Sequence, residues 1–494
     1  MSGSNQPGLI SLFVLLIFAQ GCSASSLSKN SESSPSSDTI TYTAPLPKVS
    51  AGGHHTCGVT GAGVLNCWGR NIEGQLGNGT TTQRNSPVVI DSGTSYSQIS
   101  AGDYHSCGIT TAGGLKCWGR NIEGQLGDGT TTNRNSPVVI DSGTSYSQIS
   151  GGTSHSCGIT TAGVLKCWGY NYYGQLGDGT NNQRNSPVVI DSGTSYSQIS
   201  SAGSHTCGIT TAGVLKCWGD NYIGELGDGT TTNRNSPVVI DSGTSYSQIS
   251  GGGGGNTCGI TTAGVLKCWG YNYFGQLGDG TTTHRYSPVV SDLGTSYSQI
   301  SAGYYHTCGI TTTGVLKCWG DNGYSKLGDG TTTQRNSPVV IDSGTSYSQI
   351  FAGSNHTCGI TTAGVLKCWG NNTYGQLGDG TTTQRNSPVV SDSGTFYSQI
   401  SAGSNHTCGI TTAGGLKCWG DNSYSKLGDG TTTHRYSPVV IDSGTSYSQI
   451  SLGGSHTCGI TTAGDLKCWG YNSYGQLGDG TATNRNSPVV INLN

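Results

Sequence analysis

Charged side chains are scarce in this sequence. Asp, Glu, Lys and Arg make up 10% of its 494 residues, against about 25% in ordinary soluble domains. The formal net charge is −3 and no stretch is strongly basic, which argues against a protein that binds nucleic acid through its phosphates. Methionine and phenylalanine are also rare, with one and five residues, whereas glycine is abundant, with 83. This composition, rich in turn residues, favours short strands over helices and predicts an all-β fold.

The common catalytic motifs are missing as well. The sequence has no Gly-x-x-x-x-Gly-Lys-Ser/Thr phosphate loop, no His-Glu-x-x-His and no Gly-x-Ser-x-Gly. The recurring Asp128-Gly129-Thr130 stretch lacks the alternating carboxylates of a calcium loop, so it indicates a tight turn. Asp91, Asp141 and Asp191 occupy equivalent places in different repeats, too far apart to act as a catalytic pair. We therefore expect no enzyme activity, no bound metal and no cofactor.

The N-terminal segment differs from the rest of the chain. Its apolar run, Leu9–Phe18, has ten residues, which is too short to span a bilayer as a helix and suits the core of a signal peptide. The AQGC that follows resembles the end of a bacterial lipoprotein signal, in which Cys22 becomes the lipidated first residue of the mature chain. An ordinary secretory signal is the alternative, because the leading MSGSNQPG contains no Lys or Arg.

These observations predict a signal peptide over residues 1–22 and a flexible, Ser-rich tether over residues 23–44. Both interpretations of the signal export the protein to the bacterial cell envelope. Lipidation of Cys22 would in addition anchor it to a membrane.

Residues 45–494 form one repeat domain. The sequence repeats nine times with a period of 50 residues and one step of 51, a length typical of solenoids and propellers. Within a unit such as residues 149–199, short apolar runs are separated by Gly, Asn, Asp and Pro, and no segment has helical periodicity. This pattern predicts about four short antiparallel strands in each unit. One lies at Ser-Gln-Ile-Ser, two flank Thr-Ala-Gly, and one lies at Pro-Val-Val-Ile.

Each repeat contains two cysteines ten residues apart. The Thr-Ala-Gly at residues 161–163 fits a three-residue hairpin loop with Gly163 in the left-handed conformation. That loop places Cys157 directly opposite Cys167 at a non-hydrogen-bonded position, where the β-carbons are close enough for a disulfide. The predicted pairs are Cys57–Cys67, Cys107–Cys117, Cys157–Cys167, Cys207–Cys217, Cys258–Cys268, Cys308–Cys318, Cys358–Cys368, Cys408–Cys418 and Cys458–Cys468.

Two other interpretations of these cysteines stay open at this point. They could be free or redox-active thiols, or they could bind a metal with the histidine that precedes the first cysteine by two residues, such as His155. Asn256 replaces that histidine in the fifth unit, where both cysteines remain. An exported chain favours disulfides.

The stretch SHTCGITTAGVLKCWGDNYIGELGDGT, residues 204–230, followed by SPVV, resembles the repeat of the regulator of chromosome condensation family. All nine units match the family pattern of a histidine, two strands around a turn that ends in glycine, and Trp-Gly-x-Asn-x-x-Gly-Gln-Leu-Gly-x-Gly, apart from local replacements such as Asn256 for the histidine. The resemblance implies a β-propeller of four-stranded blades. The cysteine pairs depart from the family, which usually has one apolar and one small residue at those places.

The number of blades stays open. The family's ring has seven blades, whereas this sequence has nine repeats. A nine-bladed ring, a seven-bladed ring with two extra units and an open spiral are all compatible with the sequence. We expect a single closed or nearly closed propeller of seven to nine blades, in which the N-terminal Val-Ser-Ala-Gly segment replaces a Gln-Ile-Ser strand and completes the ring.

Two short windows vary between otherwise near-identical repeats. One follows Trp-Gly and reads, for example, RNIE, YNYY, DNYI or YNSY, and the other precedes the first cysteine. Both fall in turns, and equivalent turns of a propeller share a rim. Tyrosine combines a large contact area with a polar tip, as binding surfaces prefer, although neutral drift at loop tips is the alternative. The predicted ligand-binding rim consists of Tyr172, Tyr173, Tyr222, Tyr273, Phe274, Tyr304, Tyr305, Tyr324, Tyr374, Tyr424 and Tyr474.

Three functions are compatible with the sequence. The first is an exported, membrane-tethered and monomeric scaffold that binds a protein or a glycan through this rim, in line with a β-lactamase-inhibitor protein of the same repeat family. The second is guanine-nucleotide exchange on a small GTPase, as in the family's eukaryotic founder. The export signal, the predicted disulfides and the lack of a basic tail argue against exchange. The third is a purely structural envelope protein.

Overall fold

The computed structural model describes residues 48–51, 55–152, 154–201, 204–251, 255–303, 305–403, 405–452 and 455–492. The predicted signal peptide with Cys22 and the predicted tether lie outside these residues. Every regular element that the structure describes is a β-strand, so the predicted all-β class is confirmed. No helix in the described ranges is long and apolar enough to cross a membrane.

The strands form nine four-stranded antiparallel blades, one from each repeat. Blade 1 consists of β1 Lys48–Ala51, β2 His55–Val59, β3 Val64–Gly69 and the first half of β4 Arg84–Ala101; blade 2 of the second half of β4, β5 His105–Thr110, β6 Leu115–Gly119 and β7 Arg134–Ile140; blade 3 of β8 Tyr146–Gly151, β9 His155–Thr160, β10 Leu165–Gly169 and β11 Arg184–Val189; blade 4 of β12 Tyr196–Ser201, β13 His205–Thr210, β14 Leu215–Gly219 and β15 Arg234–Val239; blade 5 of β16 Tyr246–Gly251, β17 Asn256–Thr261, β18 Leu266–Gly270 and β19 Arg285–Val290.

The remaining four blades continue the same order. Blade 6 consists of β20 Tyr297–Ala302, β21 His306–Thr311, β22 Leu316–Gly320 and β23 Arg335–Val340; blade 7 of β24 Tyr347–Ala352, β25 His356–Thr361, β26 Leu366–Gly370 and β27 Arg385–Val390; blade 8 of β28 Tyr397–Ala402, β29 His406–Thr411, β30 Gly415–Gly420 and the first half of β31 Arg435–Leu452; blade 9 of the second half of β31, β32 His456–Thr461, β33 Leu466–Gly470 and β34 Arg485–Ile491.

The first strand of each blade lies towards the centre of the ring. The backbone N of Ala101 in blade 2 donates a hydrogen bond to Oγ of Ser50 in blade 1 at 3.0 Å. Ser201 N in blade 4 donates in the same way to Ser150 Oγ in blade 3 at 3.2 Å. The N-terminal strand β1 pairs with β2 and takes the place that the Gln-Ile-Ser strand has in the other blades, as predicted.

The second and third strands form the predicted hairpin. In blade 3, Ile159 pairs with Leu165 and Cys157 with Cys167, and Gly163 has a φ of 80°. The Cα atoms of the two cysteines are 4.1 Å apart and a disulfide joins them. All nine predicted pairs are bonded, so these sulfurs are not available as thiols or as metal ligands.

Tryptophan side chains join neighbouring blades. Nε1 of Trp118 in blade 2 donates a hydrogen bond to the backbone O of Gln75 in blade 1 at 3.0 Å. The bond recurs in eight of the nine blades, since Nε1 of Trp469 in blade 9 has no partner among the described residues. Trp68 in blade 1 donates to the backbone O of Gln476 in blade 9 at 2.9 Å. The ring is therefore closed by nine blades, and the structure adopts neither the seven-bladed arrangement nor the open spiral.

A glycine of the preceding blade lies under each indole ring. Gly77 has a φ of 80°, and a Cβ added there would lie 2.7 Å from the ring of Trp118. Gly478 of blade 9 has the same relation to Trp68, with 2.8 Å to its Nε1. Only glycine permits both this backbone conformation and so close an approach.

Each hydrophobic core is shared between two blades. Trp168 and Tyr146 of blade 3 pack against the Cys107–Cys117 disulfide of blade 2. A single repeat cannot bury this surface alone, so stability depends on its neighbours. The full cluster contains Cys107, Ile109, Leu115, Cys117, Leu126, Ile140, Tyr146 and Trp168.

The repeated aspartates also connect the blades. Nζ of Lys166 in blade 3 lies 2.5 Å from Oδ2 of Asp141, and the Tyr146 hydroxyl donates to the same oxygen at 2.8 Å. Burial raises the pKa of Asp141, but the hydrogen bonds from Lys166 and Tyr146 outweigh it and lower the pKa overall. Asp91 and Asp191 form the same contact with Lys116 and Lys216.

A buried histidine precedes the first cysteine in most blades. Nε2 of His155 lies 3.1 Å from Oγ1 of Thr206 in the next blade. Burial lowers the pKa of His105 to about 4 and that of His155 to about 3. These histidines are therefore neutral near pH 7 and serve as packing residues. Burial also lowers the pKa of His205, His306, His356, His406 and His456.

We predict that Gly478→Ala destabilises the ring more than Gly193→Ala. The two glycines have φ values of 82° and 87°, so alanine strains both backbones. Only at Gly478 would the new Cβ also meet Trp68, because no atom lies within 4 Å of a Cβ at Gly193. The extra loss in the free energy of unfolding should be about 1–3 kcal/mol, measured by urea denaturation. Equal losses would contradict the contact between blades 9 and 1.

We also predict that stability falls between pH 7 and pH 5. Unfolded histidine takes up a proton near its ordinary pKa of 6.5, whereas buried His105 stays neutral down to about pH 4. The unfolded state therefore binds more protons in this window, and each buried histidine should cost on the order of 1–2 kcal/mol at pH 5.

The control for this effect is His155→Asn, a change for which Asn256 of blade 5 is the natural precedent. Urea denaturation at the two pH values should show a smaller loss for this variant than for the unchanged protein. An identical loss would contradict the role of the histidines.

Candidate functional site

The two variable windows of each repeat lie side by side. In blade 3 the backbone N of Tyr170, in the window after Trp-Gly, donates to the backbone O of Ser154, in the window before the first cysteine, at 3.0 Å. The same bond joins Arg120 to Tyr104 in blade 2, also at 3.0 Å. The variable residues of all blades therefore share one rim of the propeller, which we call the variable rim.

A buried asparagine fixes each loop of the variable rim. Asn171 Nδ2 donates to Oδ1 of Asp178 at 3.1 Å and to the backbone O of Thr180 at 3.0 Å. Its Oδ1 accepts a hydrogen bond from Leu176 N at 2.9 Å. Sequence reasoning did not single out this residue, although every variable window has asparagine at its second position. The loops thus vary in side chains while their backbones are held in place.

The structure places most of the predicted tyrosines at the surface of this rim. Tyr222 is the most exposed, at 81%, and Tyr374 the least of the exposed group, at 36%. Tyr173, Phe274 and Tyr305 are half-buried, and Tyr304 lies outside the described residues. The exposed group consists of Tyr172, Tyr222, Tyr273, Tyr324, Tyr374, Tyr424 and Tyr474.

Among the described residues, several of the predicted rings contact one another in clusters. The largest joins blades 5 and 6, where the ring of Phe274 lies 4.6 Å from that of Tyr305 and 5.1 Å from that of Tyr273. A second lies in blade 3, where the rings of Tyr172 and Tyr173 are 5.1 Å apart and perpendicular.

Three tyrosines that contact the predicted residues were missing from the sequence prediction. Tyr271 lies 6.2 Å from Tyr305 across the junction of blades 5 and 6. Tyr170 stacks 6.4 Å from Tyr172, and Tyr471 lies 5.3 Å from Tyr424 of the preceding blade. All three occupy the first position of the window after Trp-Gly, so comparison of the repeats at that position could have found them.

Blades 1 and 2 form a different sector of the variable rim. The guanidinium groups of Arg70 and Arg120 lie 5.8 and 5.5 Å from the ring centroid of Tyr104, a distance suited to cation–π attraction. Within the described part of the chain neither arginine has a carboxylate partner. Ile72 and Ile122 beside them are about half exposed.

Charge at the first window position also differs between blades. Asp421 in blade 8 forms an ion pair with buried Lys426 at 2.6 Å. Burial raises the pKa of Asp421, but the Lys426 hydrogen bond and others outweigh it and bring the pKa to about 2. Asp321 pairs with Lys326 in the same way in blade 6. In blade 4 Glu225 takes the lysine position, and burial raises its pKa.

The opposite rim is uniform. Its shallow hollows lie between the hairpin turn of one blade and the first strand of the next, and one of them is lined by Thr160, Gly163, Ser195 and Tyr196. The same residue types recur in most repeats, so these hollows offer no distinctive site. No group of three or more His, Cys, Asp and Glu side chains in the described ranges could hold a metal ion.

Comparison with known proteins identifies a family and several similar folds. No curated protein matches this sequence as a relative. Among solved structures, human WBSCR16 is 19% identical, with a TM-score of 0.48, over 71% of this chain and 100% of its own. Yeast RCC1 (Prp20), solved with Kap60, is 16% identical, with a TM-score of 0.46, over 76% and 83% of the two chains. BamB from Moraxella catarrhalis is 9% identical, with a TM-score of 0.40, over 76% and 94%.

The family match covers the whole repeat region. The family model described as RCC1-like domain matches residues 16–346 and 248–494, and these two ranges together include all nine blades. The resemblance found in the repeat sequence is thereby confirmed, and the chain belongs to the RCC1-like domain family.

Proposed function

We propose that this protein is a non-enzymatic binding scaffold of the bacterial cell envelope that recognises a protein or a glycan through its variable rim. One contrast carries the proposal. The residues that join the blades repeat around the ring, whereas the exposed aromatic residues of the variable rim differ from blade to blade. A surface that varies on a rigid framework is the usual arrangement of a recognition site.

The aromatic clusters suit binding because they are held in place before a partner arrives. The asparagine that anchors each loop, such as Asn171, is fully buried and forms hydrogen bonds with four backbone or side-chain groups. A fixed loop loses little conformational entropy on binding, and tyrosine adds a large contact area with few rotatable bonds. The rim therefore retains most of the free energy gained from contact.

The sector of blades 1 and 2 adds charge to this surface. Arg70 and Arg120 carry guanidinium groups without an ion-pair partner in the described residues. Charged groups at a binding surface steer association and select partners more than they add affinity. We expect this sector to govern specificity and the aromatic clusters to govern affinity.

Export to the envelope is part of the same proposal. The predicted signal over residues 1–22 supports it, and nine disulfides suit an oxidising compartment. Lipidation of Cys22 would place the propeller on a membrane at the end of the tether over residues 23–44. Such a monomeric scaffold would present its variable rim to partners in the envelope.

We predict that Tyr172→Ser, Tyr222→Ser and Tyr273→Ser, combined in one protein, abolish capture of its partner. These side chains are 68%, 81% and 64% exposed, so their loss should remove contact area without disturbing the cores. The measurement is affinity capture from envelope fractions, with the partner identified by mass spectrometry, together with binding to a glycan array. At least a tenfold loss is expected, as for truncated aromatic hot spots.

The matched control is a protein with Val139→Ser, Leu293→Ser and Phe396→Ser. These apolar side chains are 60%, 91% and 50% exposed and lie outside the variable rim. Capture should survive in this control. Equal capture by both variants, or no capture by the unchanged protein, would favour the purely structural function.

We predict that Cys22→Ser releases the full-length protein from the membrane. A lipidated cysteine holds the chain through its acyl groups, so the unchanged protein should partition into detergent and the variant into the aqueous phase. Metabolic labelling with a fatty acid checks the modification directly. A protein that is exported but unlabelled would support the ordinary secretory signal.

A further inference from the structure

We propose that Asn78 is a deamidation site, and that conversion of its side-chain amide to a carboxylate completes an ion pair that blade 1 lacks. The Asn78 site lies in the loop that follows the third strand of blade 1. It does not depend on the function of the variable rim.

Eight blades share one arrangement in the equivalent loop. In blade 2 the Oδ1 atom of Asp128 accepts hydrogen bonds from Asn121 Nδ2 and Thr130 N, both at 3.0 Å. Its Oδ2 accepts from Arg134 Nε at 2.5 Å. The same ion pair recurs in Asp178–Arg184, Asp228–Arg234, Asp279–Arg285, Asp329–Arg335, Asp379–Arg385, Asp429–Arg435 and Asp479–Arg485.

Blade 1 has Asn78 where the other blades have aspartate. Its Oδ1 makes the usual bonds, from Asn71 Nδ2 at 3.1 Å and Thr80 N at 3.2 Å. Its Nδ2 takes the place of the second carboxylate oxygen. That atom and Arg84 Nε are both buried, and neither has a hydrogen-bond partner in the described part of the molecule. In blade 1 the amide Nδ2 and the Arg84 Nε are both donors, whereas each of the other eight blades has a carboxylate acceptor opposite its arginine. Two buried donors without an acceptor are unfavourable.

The neighbouring residue supplies the chemistry. The backbone N of Gly79 can attack Cγ of Asn78, which expels ammonia and forms a cyclic imide, and water then opens the imide to aspartate. The net change adds one water, releases one ammonia and gains one negative charge. Glycine favours this attack because it has no side chain to obstruct the ring. Opening at the other imide carbonyl would give isoaspartate, whose backbone is one atom longer, whereas the Asp128 turn of blade 2 shows that aspartate fits this loop.

The fold controls when this reaction can occur. Gly79 N donates a hydrogen bond to the backbone O of Asn135 in blade 2 at 2.7 Å, so the attack requires local opening of the loop. Once formed, the aspartate can pair with Arg84 as in the other blades, and charge-assisted hydrogen bonds of this kind are strong. The product would therefore hold the loop closed more firmly than the starting amide.

The Asn78 loop lies close to the contact between blade 1 and blade 9. Asn85, next to Arg84, accepts a hydrogen bond through its backbone O from Gly480 N of blade 9 at 2.7 Å. This contact lies at the junction where the last blade meets the first. A firmer loop in blade 1 would therefore strengthen the closure of the ring.

The chain contains its own control for the reaction. Asn322-Gly323 is the second Asn-Gly pair in the sequence. Asn322 is fully buried, its Nδ2 donates to Asp329 Oδ1 at 3.1 Å, and its Oδ1 accepts from Leu327 N at 3.0 Å. Conversion of Asn322 would replace the Nδ2 donor with a carboxylate oxygen that faces the Asp329 carboxylate. We therefore expect Asn322 to persist.

The test is to keep the purified, oxidised full-length protein in mildly alkaline buffer and to map its peptides by mass spectrometry over time. We expect Asn78 to convert to aspartate and Asn322 to remain unchanged. Conversion at both sites, at neither site, or mainly to isoaspartate would overturn the proposal. A synthetic peptide with the Asn78-Gly79 sequence shows how fast the unrestrained reaction runs.

Variants provide a second readout that does not depend on the reaction rate. Asn78→Asp should shift the urea midpoint upward relative to freshly prepared protein, and Asp128→Asn, which copies the blade 1 arrangement into blade 2, should shift it downward. Stored, converted protein should unfold at the midpoint of Asn78→Asp. An unchanged or lower midpoint for Asn78→Asp would contradict the missing ion pair.

Discussion

This structure depends on the contact between each tryptophan indole ring and a glycine of the preceding blade. A tryptophan from each blade lies against a glycine of the preceding blade, and in eight of the nine blades it donates its N–H to a backbone carbonyl there, as Trp118 does to Gln75. The contact fixes the distance between blades through steric fit and their alignment through a hydrogen bond. It also completes a core that no single repeat could bury. Because Trp68 makes the same contact with blade 9, the geometry closes on itself.

This framework separates two roles along the sequence. Polar groups such as Asn171, His155 and Asp141 hold the blades and loops together, and each has its partner in the same or the next blade. The exposed side chains of the variable rim do not hold the blades together. They can differ from blade to blade without loss of the fold, which is why aromatic clusters and an arginine sector can occupy different parts of one ring.

Much of the blade could be predicted from the sequence, because local rules decide it. The spacing of Cys157, Gly163 and Cys167 is enough to define the hairpin and its disulfide. The number of blades could not be predicted, because it depends on the angle at each Trp–Gly contact, which no local pattern reports. The rim was only partly predicted: Tyr172 and Tyr222 are exposed, but the clustering of Tyr271 with Tyr305 depends on the approach of two blades.

Every blade is built from one uninterrupted stretch of chain, so blades 1 and 9 meet without sharing a strand. In a ring of this kind, a repeat is a complete and interchangeable part. Unequal recombination between the near-identical repeats of the gene would add or remove a whole blade and leave no strand without its partner. The ring size would then be set by how far the Trp–Gly contacts can adjust their angle, and the number of variable loops could change in single steps.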